Sequence, residues 1–361
     1  MRKQGNGPTI YDIADDAGVS ANTVSRALNG KPGVSEKTRG RIFSIAKTMG
    51  YHPNLGARSL RVEQEGLIGL TLPAPVDVVP LSEPFFTFIF SELFRHFGIH
   101  GERLCFDLNP YISSASSDYG RSLWQNLYAA CVVAGPLATS DTTIHKIHQS
   151  GIPYVTLGRL DSLAECSCAT VDYEGGAYVG TKYLIEQGHT RIALLKALAG
   201  YQPAVERIRG YLRALEEAGI EPDETLIQSV TFTNQNIANS VHRLLKDHTV
   251  TALLESSGTE DGSGIQEGSR RAGRVPGKDF EVVCWTYAAD KIVLPEASAH
   301  LWLPVREAAT EGFEQLADWY FGRRDTPINI VYPPTMLKTK DLLLSGAQSV
   351  DTSNRLFNSQ F

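Results

Sequence analysis

The pattern of hydrophobic and polar residues changes near position 62 of the chain. Before that point, apolar residues recur every three or four positions, which predicts three short helices. From Leu67 onward, short β-rich runs alternate with helical stretches, a pattern typical of a parallel sheet flanked by helices. These units are too many for one sheet of ordinary size. We therefore expect two doubly wound α/β subdomains that divide near Thr170 and again near residues 300–330.

The alternation assigns individual elements after residue 66. The predicted strands are Leu67–Leu72, Leu104–Leu108, Ala130–Ala134, Tyr154–Leu157, Arg191–Leu195, Ala252–Glu255 and Glu281–Trp285. The predicted helices are Phe85–Phe97, Ser117–Leu127, Thr142–Gln149, Glu174–Gln187, Val205–Ala218, Ile237–Lys246, Gly264–Ala272 and Val305–Tyr320. We expect a helical head over residues 1–52, a linker over residues 53–66 and an α/β body over residues 67–361.

Each helix of the head has its own start or stop signal. Thr9 with Asp12 three residues later is a variant of the capping box, and Gly18 can end the first helix in a left-handed conformation. Ser20 is placed to cap a second helix, and Ser35 to cap a third that ends at Gly50. Two helices joined by a glycine-containing turn form the helix-turn-helix pattern.

The polar face of the second helix is a candidate surface for base recognition. In a helix-turn-helix protein this helix lies in the DNA major groove with its N-terminal residues nearest the bases. Asn22 could bind adenine, Arg26 guanine or a phosphate, and Ala21 a thymine methyl group. The alternative is an ordinary three-helix bundle whose polar face is solvated.

Charge is distributed unevenly between the two parts of the chain. Residues 1–62 hold ten Lys and Arg and four Asp and Glu, a formal charge of +6. The rest of the chain carries −12, which gives the total of −6. A small basic unit beside a larger acidic one indicates that the head binds a polyanion and the body does not.

The head resembles the lactose/galactose repressor family of bacterial transcription regulators. The resemblance is carried by TIYDIADDAGVSANTVSRALNG and VSEKTRGRIFSIAKTMGYHPNLGARSLR, without gaps. It implies that Ala21, Asn22 and Arg26 contact bases. It also implies that a further set of residues positions the helices on phosphate or base edges: Thr9, Tyr11, Ser20, Thr23, Ser25 and Asn29. The expected partner is double-stranded operator DNA, bound by a homodimer.

The segment after Pro53 resembles the hinge helix of the same family. The resemblance implies that residues 54–61 form a helix on the operator and contact the minor groove through Asn54, Ala57 and Leu60. Leu60 matches a leucine inserted at the central base step, which bends the DNA. Gly56 disfavours a helix by about 1 kcal/mol relative to Ala, so we expect the free hinge to fold on DNA. The alternative is a plain linker.

The body resembles the effector-binding part of that family, a periplasmic sugar-binding-protein fold with a cleft between two subdomains. The matching motifs are Asp172 with Gly175-Gly176-Ala177, the run Arg207-Ile-Arg-Gly-Tyr, and Glu83-Pro84-Phe85-Phe86. Aromatic faces and arginine forks are suited to a sugar. The candidate effector contacts are therefore Phe85, Phe86, Arg159, Arg207, Phe232 and Trp285. Core packing is the alternative for the aromatic residues, and a surface salt bridge for Arg207.

One departure from the family pattern concerns the identity of the effector. The run Cys284-Trp285-Thr286-Tyr287 replaces the family's usual Gly-Phe/Tyr-Asp-Asp, whose first aspartate commonly holds a sugar hydroxyl. Thr286 cannot replace that charge. We expect a small carbohydrate-like effector, with its charge left open.

Other classes of function have little support in the sequence. The apolar runs are too short for a transmembrane helix, no secretory signal is present, and five scattered cysteines are typical of a cytoplasmic protein. The pairs His96/His100 and His145/His148 lack further zinc ligands, and catalytic motifs are missing, so no metal, cofactor or enzyme activity is expected. A sugar-binding transport protein and a sugar-processing enzyme remain alternatives on the same fold.

Overall fold

The computed structural model describes residues 9–28, 32–49, 67–74, 84–108, 119–125, 127–197, 199–231, 233–257, 261–288 and 291–343. The chain divides into two units between residues 65 and 66. Each unit has a hydrophobic core of its own. We call the first unit the head and the second the body.

Three helices make up the described part of the head. They are α1 (Ile10–Ala17), α2 (Ala21–Leu28) and α3 (Glu36–Thr48). Thr9 and Asp12 form the predicted reciprocal capping box, and Gly18 ends α1 in the left-handed region with a φ of 59°. The predicted start and end of the first helix are confirmed.

The second and third helices also begin at the predicted caps. The Ser20 hydroxyl accepts the Thr23 amide at 3.1 Å, and the Ser35 hydroxyl accepts the Thr38 amide at 3.2 Å. The three helices enclose a small core of apolar side chains that consists of Ile13, Ala14, Ala17, Val24, Ala27, Ile42 and Ala46. The predicted helix-turn-helix arrangement is confirmed.

Two six-stranded sheets form the centre of the body in the described residues. The first-sheet strands are β1 (Leu67–Leu72), β2 (Leu104–Leu108), β3 (Tyr128–Val133), β4 (Tyr154–Thr156), β5 (Cys168–Val171) and β11 (Asn329–Tyr332). The second-sheet strands are β6 (Ile192–Ala197), β7 (Ile227–Val230), β8 (Ala252–Ser256), β9 (Glu281–Thr286), β10 (Ala299–Trp302) and β12 (Thr335–Lys338).

The strand orders are β11-β5-β4-β3-β1-β2 and β12-β10-β9-β8-β6-β7. All described pairs are parallel except β10 with β12. The carboxyl ends of the parallel strands therefore lie at one edge of each sheet, where open α/β sheets bind their ligands.

Helices cover the sheets between consecutive strands. They are α4 (Pro84–His96), α5 (Arg121–Trp124), α6 (Thr143–Ser150), α7 (Tyr173–Glu186), α8 (Gln202–Glu217), α9 (Asn234–Leu245), α10 (Ser263–Arg271) and α11 (Val305–Tyr320). Two single 3₁₀ turns lie at Gly98–His100 and Glu224–Leu226. Helix α11 packs on β5 and α4 although it follows a second-sheet strand. The chain thus passes between the sheets after β5, after β10 and between β11 and β12.

Most predicted elements of the body are present. All seven predicted strands are confirmed within two residues at either end. Five further strands of the described residues were not predicted: β5, β7, β10, β11 and β12. The predicted helix Ser117–Leu127 is wrong, because only the four-residue α5 forms there before β3 begins. The other predicted helices are confirmed, with starts within three residues of the predicted ones. The two-subdomain α/β fold class is confirmed.

The described residues contain neither a candidate membrane-spanning helix nor a candidate metal-binding group. None of their helices is both long enough and apolar enough to cross a membrane. Nor do they contain a group of three or more His, Cys, Asp or Glu side chains that could hold a metal ion.

Candidate nucleic-acid interface and ligand site

The exposed side of α2 presents the predicted base-contacting residues. Asn22 and Arg26 are exposed four positions apart, so they share one face of the helix, while Val24 and Ala27 are buried. Ala21, Thr23 and Ser25 are partly exposed. The periodicity that buries one face of α2 therefore leaves a polar face available to a groove of DNA.

Three of the residues predicted to position the helices on DNA, Thr9, Ser20 and Thr23, also form hydrogen bonds at the helix starts. Thr9 caps α1, and the hydroxyls of Ser20 and Thr23 lie 2.9 Å apart at the start of α2. Tyr11 on α1 is 68% exposed, which is unusual for a large aromatic side chain and leaves its hydroxyl accessible.

Several arginines of the head are bound to backbone carbonyls. The Arg26 guanidinium donates to the Pro32 carbonyl, and Arg39 donates to the Ala27 carbonyl at 2.7 Å. Arg41 donates to the Ala17 carbonyl. Arg39 and Arg41 thus bind carbonyls at the ends of α2 and α1 and hold the three helices together. Two of the ten cations in the head therefore have a structural role.

Several predicted contact residues lie outside the described residues. They are Asn29, Asn54, Ala57, Leu60 and Phe232. The same holds for the side chain of Phe85, at the start of α4.

Arg207 of α8 lies in a pocket of aromatic rings in the second subdomain. Its side chain is almost fully buried, at 3% exposure. The guanidinium carbon lies 4.8 Å from the ring centroid of Tyr173 and 4.9 Å from that of Trp285. Nε and Nη1 have no hydrogen-bond partner among the described residues. An unpaired charge buried in this way is costly, so the site is suited to a ligand that brings acceptors.

Trp285 supports Arg207. It is completely buried, and its ring stacks on Tyr173 with centroids 6.0 Å apart and an angle of 14°. A side chain at Gly176 would lie 3.3 Å from the Trp285 ring. Trp285 is therefore in contact with Arg207 and Tyr173 in this structure, and its stacking on the effector stays a prediction.

Phe86 lies in the hydrophobic core, which was the alternative to an effector contact. It is 4% exposed and packs from α4 into the core that contains Ile89 and Leu93. Phe86 therefore packs in the core in this structure, and its predicted effector contact stays a prediction.

Arg159 connects the two subdomains. It lies in the segment between β4 and β5, and its Nε is 2.8 Å from Oε1 of Glu206 on α8. Its Nη2 is 3.6 Å from Asp172, whose carboxylate caps α7. Burial raises the pKa of Glu206, and the hydrogen bond from Arg159 opposes that rise. Arg159 is therefore engaged by two carboxylates in this structure, and its role as a ligand donor stays a prediction.

A second ion-pair group lies beside the first. Arg209 of α8 binds Asp161 at 2.6 Å and Glu174 at 3.0 Å, and Arg213 binds Glu174 at 2.9 Å. These pairs border a cavity of about 480 Å³ that Cys166 also lines. Arg207 thus lies between Glu206 and Arg209, which both form ion pairs with residues of the first subdomain.

Two family models match the chain. One is described as "Bacterial regulatory proteins, lacI family" and covers residues 9–54. The other is described as "Periplasmic binding proteins and sugar binding domain of LacI family" and covers residues 68–285, more than half of the chain. The chain belongs to the LacI family. It is therefore a DNA-binding transcription regulator, and the family resemblance predicted from its sequence is confirmed.

Curated relatives of this LacI-family chain are themselves transcription regulators. The HTH-type transcriptional regulator DegA of Bacillus subtilis is 26% identical over 339 residues, which covers 91% of this chain and 96% of DegA. The HTH-type transcriptional regulator RafR of Escherichia coli is 30% identical over 271 residues, which covers 75% of this chain and 79% of RafR.

Solved structures give the same result. A complex of the transcriptional regulator CelR with cellobiose superposes with a TM-score of 0.62 at 26% identity, over 91% of this chain and 98% of that one. The lac repressor dimer bound to operator and the anti-inducer ONPF superposes with a TM-score of 0.68 over 92% and 98% of the two chains. At 20% identity, the latter likeness shows the fold alone.

Three residues of the candidate ligand site were not predicted from the sequence. Tyr173 and Glu206 directly adjoin Asp172 and Arg207, which the motifs had marked. Lys196, near the carboxyl end of β6, is 6% exposed and donates to the Ser229 hydroxyl at 2.7 Å. Burial and the nearby charge of Arg207 lower its pKa. A lone lysine in the apolar run IALLKA was the available signal, since lysine is almost never buried without a reason.

Proposed function

We propose that this regulator is a cytoplasmic repressor that binds a palindromic operator as a homodimer and responds to a carbohydrate-like effector. In this assignment residues 1–52 bind the major groove, residues 53–66 form the hinge, and residues 67–361 hold the effector and the dimer contacts. The proposal is supported by family membership and by the sugar-binding description of the matching family model. The CelR relative, solved with cellobiose, supports a sugar as the class of effector.

The operator contacts are assigned to α2 and the hinge. Asn22 and Arg26 share the exposed face of α2, which supports a direct role in base recognition. Arg26 exchanges the Pro32 carbonyl for DNA at small cost, because both groups are exposed. Asn54, Ala57 and Leu60 are assigned to the minor groove on the family resemblance alone.

The effector site is assigned to Arg207, and the observation that carries it is the buried guanidinium with two unpartnered nitrogens. Hydrogen bonds to a charged group are worth about 1.5–3 kcal/mol each. A bound sugar derivative that supplies acceptors recovers this free energy, whereas water has little access to a side chain that is 3% exposed. The Tyr173 and Trp285 rings hold the guanidinium in place for that contact.

The effector must bind two arrangements of the body unequally in order to change operator affinity. Glu206 directly precedes Arg207 and is paired with Arg159 of the first subdomain. A ligand that engages Arg207 therefore acts next to a contact between the subdomains. We propose that this ion pair transmits the effector signal.

The test compares Arg207→Ala with Arg213→Ala, both in the full-length chain. Operator DNA is first selected from random sequences, and its affinity is then measured by fluorescence anisotropy against a panel of sugars. We expect the Arg207 variant to bind operator like the native protein but to lose the sugar response. The Arg213 variant, which alters an exposed arginine of the same helix, should keep both. A full sugar response in Arg207→Ala contradicts the assigned site.

A further inference from the structure

Two cations of the body are buried on adjoining elements, since Lys196 lies near the carboxyl end of β6 and Arg207 on α8, which packs against β6. Lys196 is 6% exposed and Arg207 is 3% exposed. Lys196 feels the charge of Arg207, which adds to burial in lowering its pKa. In a medium of low dielectric constant, like charges repel strongly and each loses hydration. This arrangement is unfavourable unless an opposite charge is brought to it.

No carboxylate in the described part of the chain forms an ion pair with either cation. Lys196 donates to the neutral Ser229 hydroxyl, while Nε and Nη1 of Arg207 are unpartnered. The neighbouring Glu206 and Asp172 carboxylates are both directed to Arg159. Among the described residues, the site thus has an excess of positive charge.

Position 286 does not balance that excess. Thr286 ends β9, immediately after Trp285, and its hydroxyl donates to the Ala288 carbonyl at 2.9 Å. The same hydroxyl accepts the Ala288 amide at 3.2 Å. The Thr286 hydroxyl is neutral and is bonded to the backbone of Ala288, so it does not balance the charge of Lys196 or Arg207.

We propose that the effector is an anionic sugar derivative whose carboxylate or phosphate group binds at Lys196 and Arg207. This inference rests on the proposed function and adds the charge of the effector to it. An arginine and a lysine together suit such a group, because charge-assisted hydrogen bonds to both are short and strong. Neutral hydroxyls could satisfy the hydrogen bonds of the site but would leave its charge uncompensated.

The first experiment measures anion binding without knowledge of the natural effector. Thermal unfolding of the full-length protein is followed in sodium phosphate and in sodium chloride of equal ionic strength. We expect phosphate at about ten times its Kd to raise Tm by about 3 °C. The rise should disappear in Lys196→Met and Arg207→Met. It should persist in Lys278→Met, which removes an exposed lysine of the same subdomain.

Thermal unfolding without phosphate also shows whether the variants are folded. Without phosphate, Lys196→Met should melt above the native protein, because it removes a buried charge that repels Arg207. A phosphate-specific rise in Lys196→Met equal to that of the native protein overturns the inference. So does the absence of any such rise in the native protein.

The second experiment distinguishes the two sources of the anion and separates this inference from the proposed function. Operator release is measured with glucose and glucose 6-phosphate, and with galactose and galacturonate. Release by the phosphorylated or carboxylated member alone, lost in Lys196→Met, supports the inference and names the group. Release by a neutral sugar that depends on Arg207 but not on Lys196 overturns the inference and leaves the proposed function standing. Release that is independent of Arg207 contradicts the proposed function itself.

Discussion

At the scale of single residues, Arg207 shows how aromatic rings can hold a charge away from water. Each contact of its guanidinium with a ring, at 4.8 Å to Tyr173 and 4.9 Å to Trp285, contributes about 0.5–2 kcal/mol. The penalty for burying an unpaired ion is several kcal/mol, which exceeds the contribution of the rings. The rings therefore position the group, and ligand acceptors must supply the remaining stabilisation.

Asn22 provides a test of base recognition at a single side chain. Replacing Asn22 with Ala should cost about 1–3 kcal/mol of operator binding and relax the preference at one base pair of each half-site. The reason is that its amide can both donate to and accept from an adenine edge. The measurement is a competition assay against all single-base variants of the selected operator.

A matched control for Asn22 lies on α3. Thr48→Ala alters an exposed side chain at the end of that helix, whose hydroxyl donates to the Ser44 carbonyl, and should leave both affinity and base preference unchanged. Equal losses on every DNA sequence for Asn22→Ala would show that the side chain contacts the phosphate backbone instead.

His300 predicts how stability depends on pH. Its Nε2 accepts the Val293 and Leu294 amides at 3.0 and 3.3 Å, so Nδ1 carries the proton and donates to Thr339. Burial lowers the pKa of His300 from 6.5 to about 4. Between these values the unfolded chain binds one more proton, so the free energy of unfolding falls as pH falls from 6.5 to 4. The expected loss is about 2–3 kcal/mol.

The check on His300 is urea denaturation at pH 7 and pH 4.5. His300→Gln removes the titrating group and should flatten this part of the pH dependence, whereas His248→Gln, at an exposed position, should not. An unchanged difference between the two pH values in His300→Gln would show that other groups cause it.

At the scale of elements, helices with local end signals were predictable, whereas five of the strands were not. Thr9, Gly18, Ser20 and Ser35 act within three residues of the helix ends they fix, so the head followed from sequence alone. The missed strands have four residues each, and β7 and β12 are only partly buried. Their pairing depends on partners far away in the chain, such as β12 with β10, which no local pattern contains.

The ligand site was partly predictable for a related reason. Arg207 lies in a recognisable motif, whereas Phe86 and Trp285 are apolar residues that suit a core and a sugar equally well. Only the folded structure shows that both are enclosed by protein. The ion pair of Arg159 was not predictable, because its partner Glu206 is 47 residues away.

Gly210 tests the contact between α7 and α8. A Cβ atom there would lie 2.0 Å from the Glu174 carbonyl oxygen and 2.8 Å from the Tyr178 amide nitrogen. Both are backbone atoms, so the two helices would have to separate. We expect Gly210→Ala to lower the free energy of unfolding by about 3 kcal/mol, measured by chemical denaturation.

The control for Gly210 is at the end of the same helix. Gly219 has a φ of 67° and no atom within 4 Å of an added Cβ, so Gly219→Ala introduces strain without a clash. Its expected cost is about 1 kcal/mol. If the two substitutions cost the same, close approach of the helices does not determine the choice of glycine at position 210.

At the scale of the whole molecule, the two sheets of the body are connected both by the chain and by ion pairs. Three chain crossings connect them, and the Arg159–Glu206 and Arg209–Asp161 pairs add side-chain contacts across the same region. The Arg209–Asp161 pair is partly exposed and is worth about 1 kcal/mol or less, whereas the Arg159–Glu206 pair includes a buried carboxylate, so breaking it costs more. The exposed pair can therefore break and re-form at small cost when the subdomains move.

The proposed homodimer predicts a surface on the first sheet. Phe90 and Phe94 of α4 are exposed, and Phe106 on the edge strand β2 packs edge-to-face on Phe90 with centroids 5.2 Å apart. An exposed aromatic patch beside a strand that is at the edge of its sheet in the described residues is typical of an interface. Phe94, which is 61% exposed, can be changed with little effect on folding. We therefore expect Phe94→Asp to yield folded monomers in sedimentation velocity.

Loss of the dimer should also weaken operator binding. Two linked heads bind two half-sites with an effective-concentration advantage, so Phe94→Asp should reduce affinity for the full palindrome by about 10²-fold or more. Its affinity for a single half-site should stay the same, because the head is untouched. Val179→Asp, which adds a charge at an exposed position on α7, should remain dimeric and bind normally. A dimeric Phe94→Asp protein with full operator affinity would place the dimer contacts elsewhere in the body.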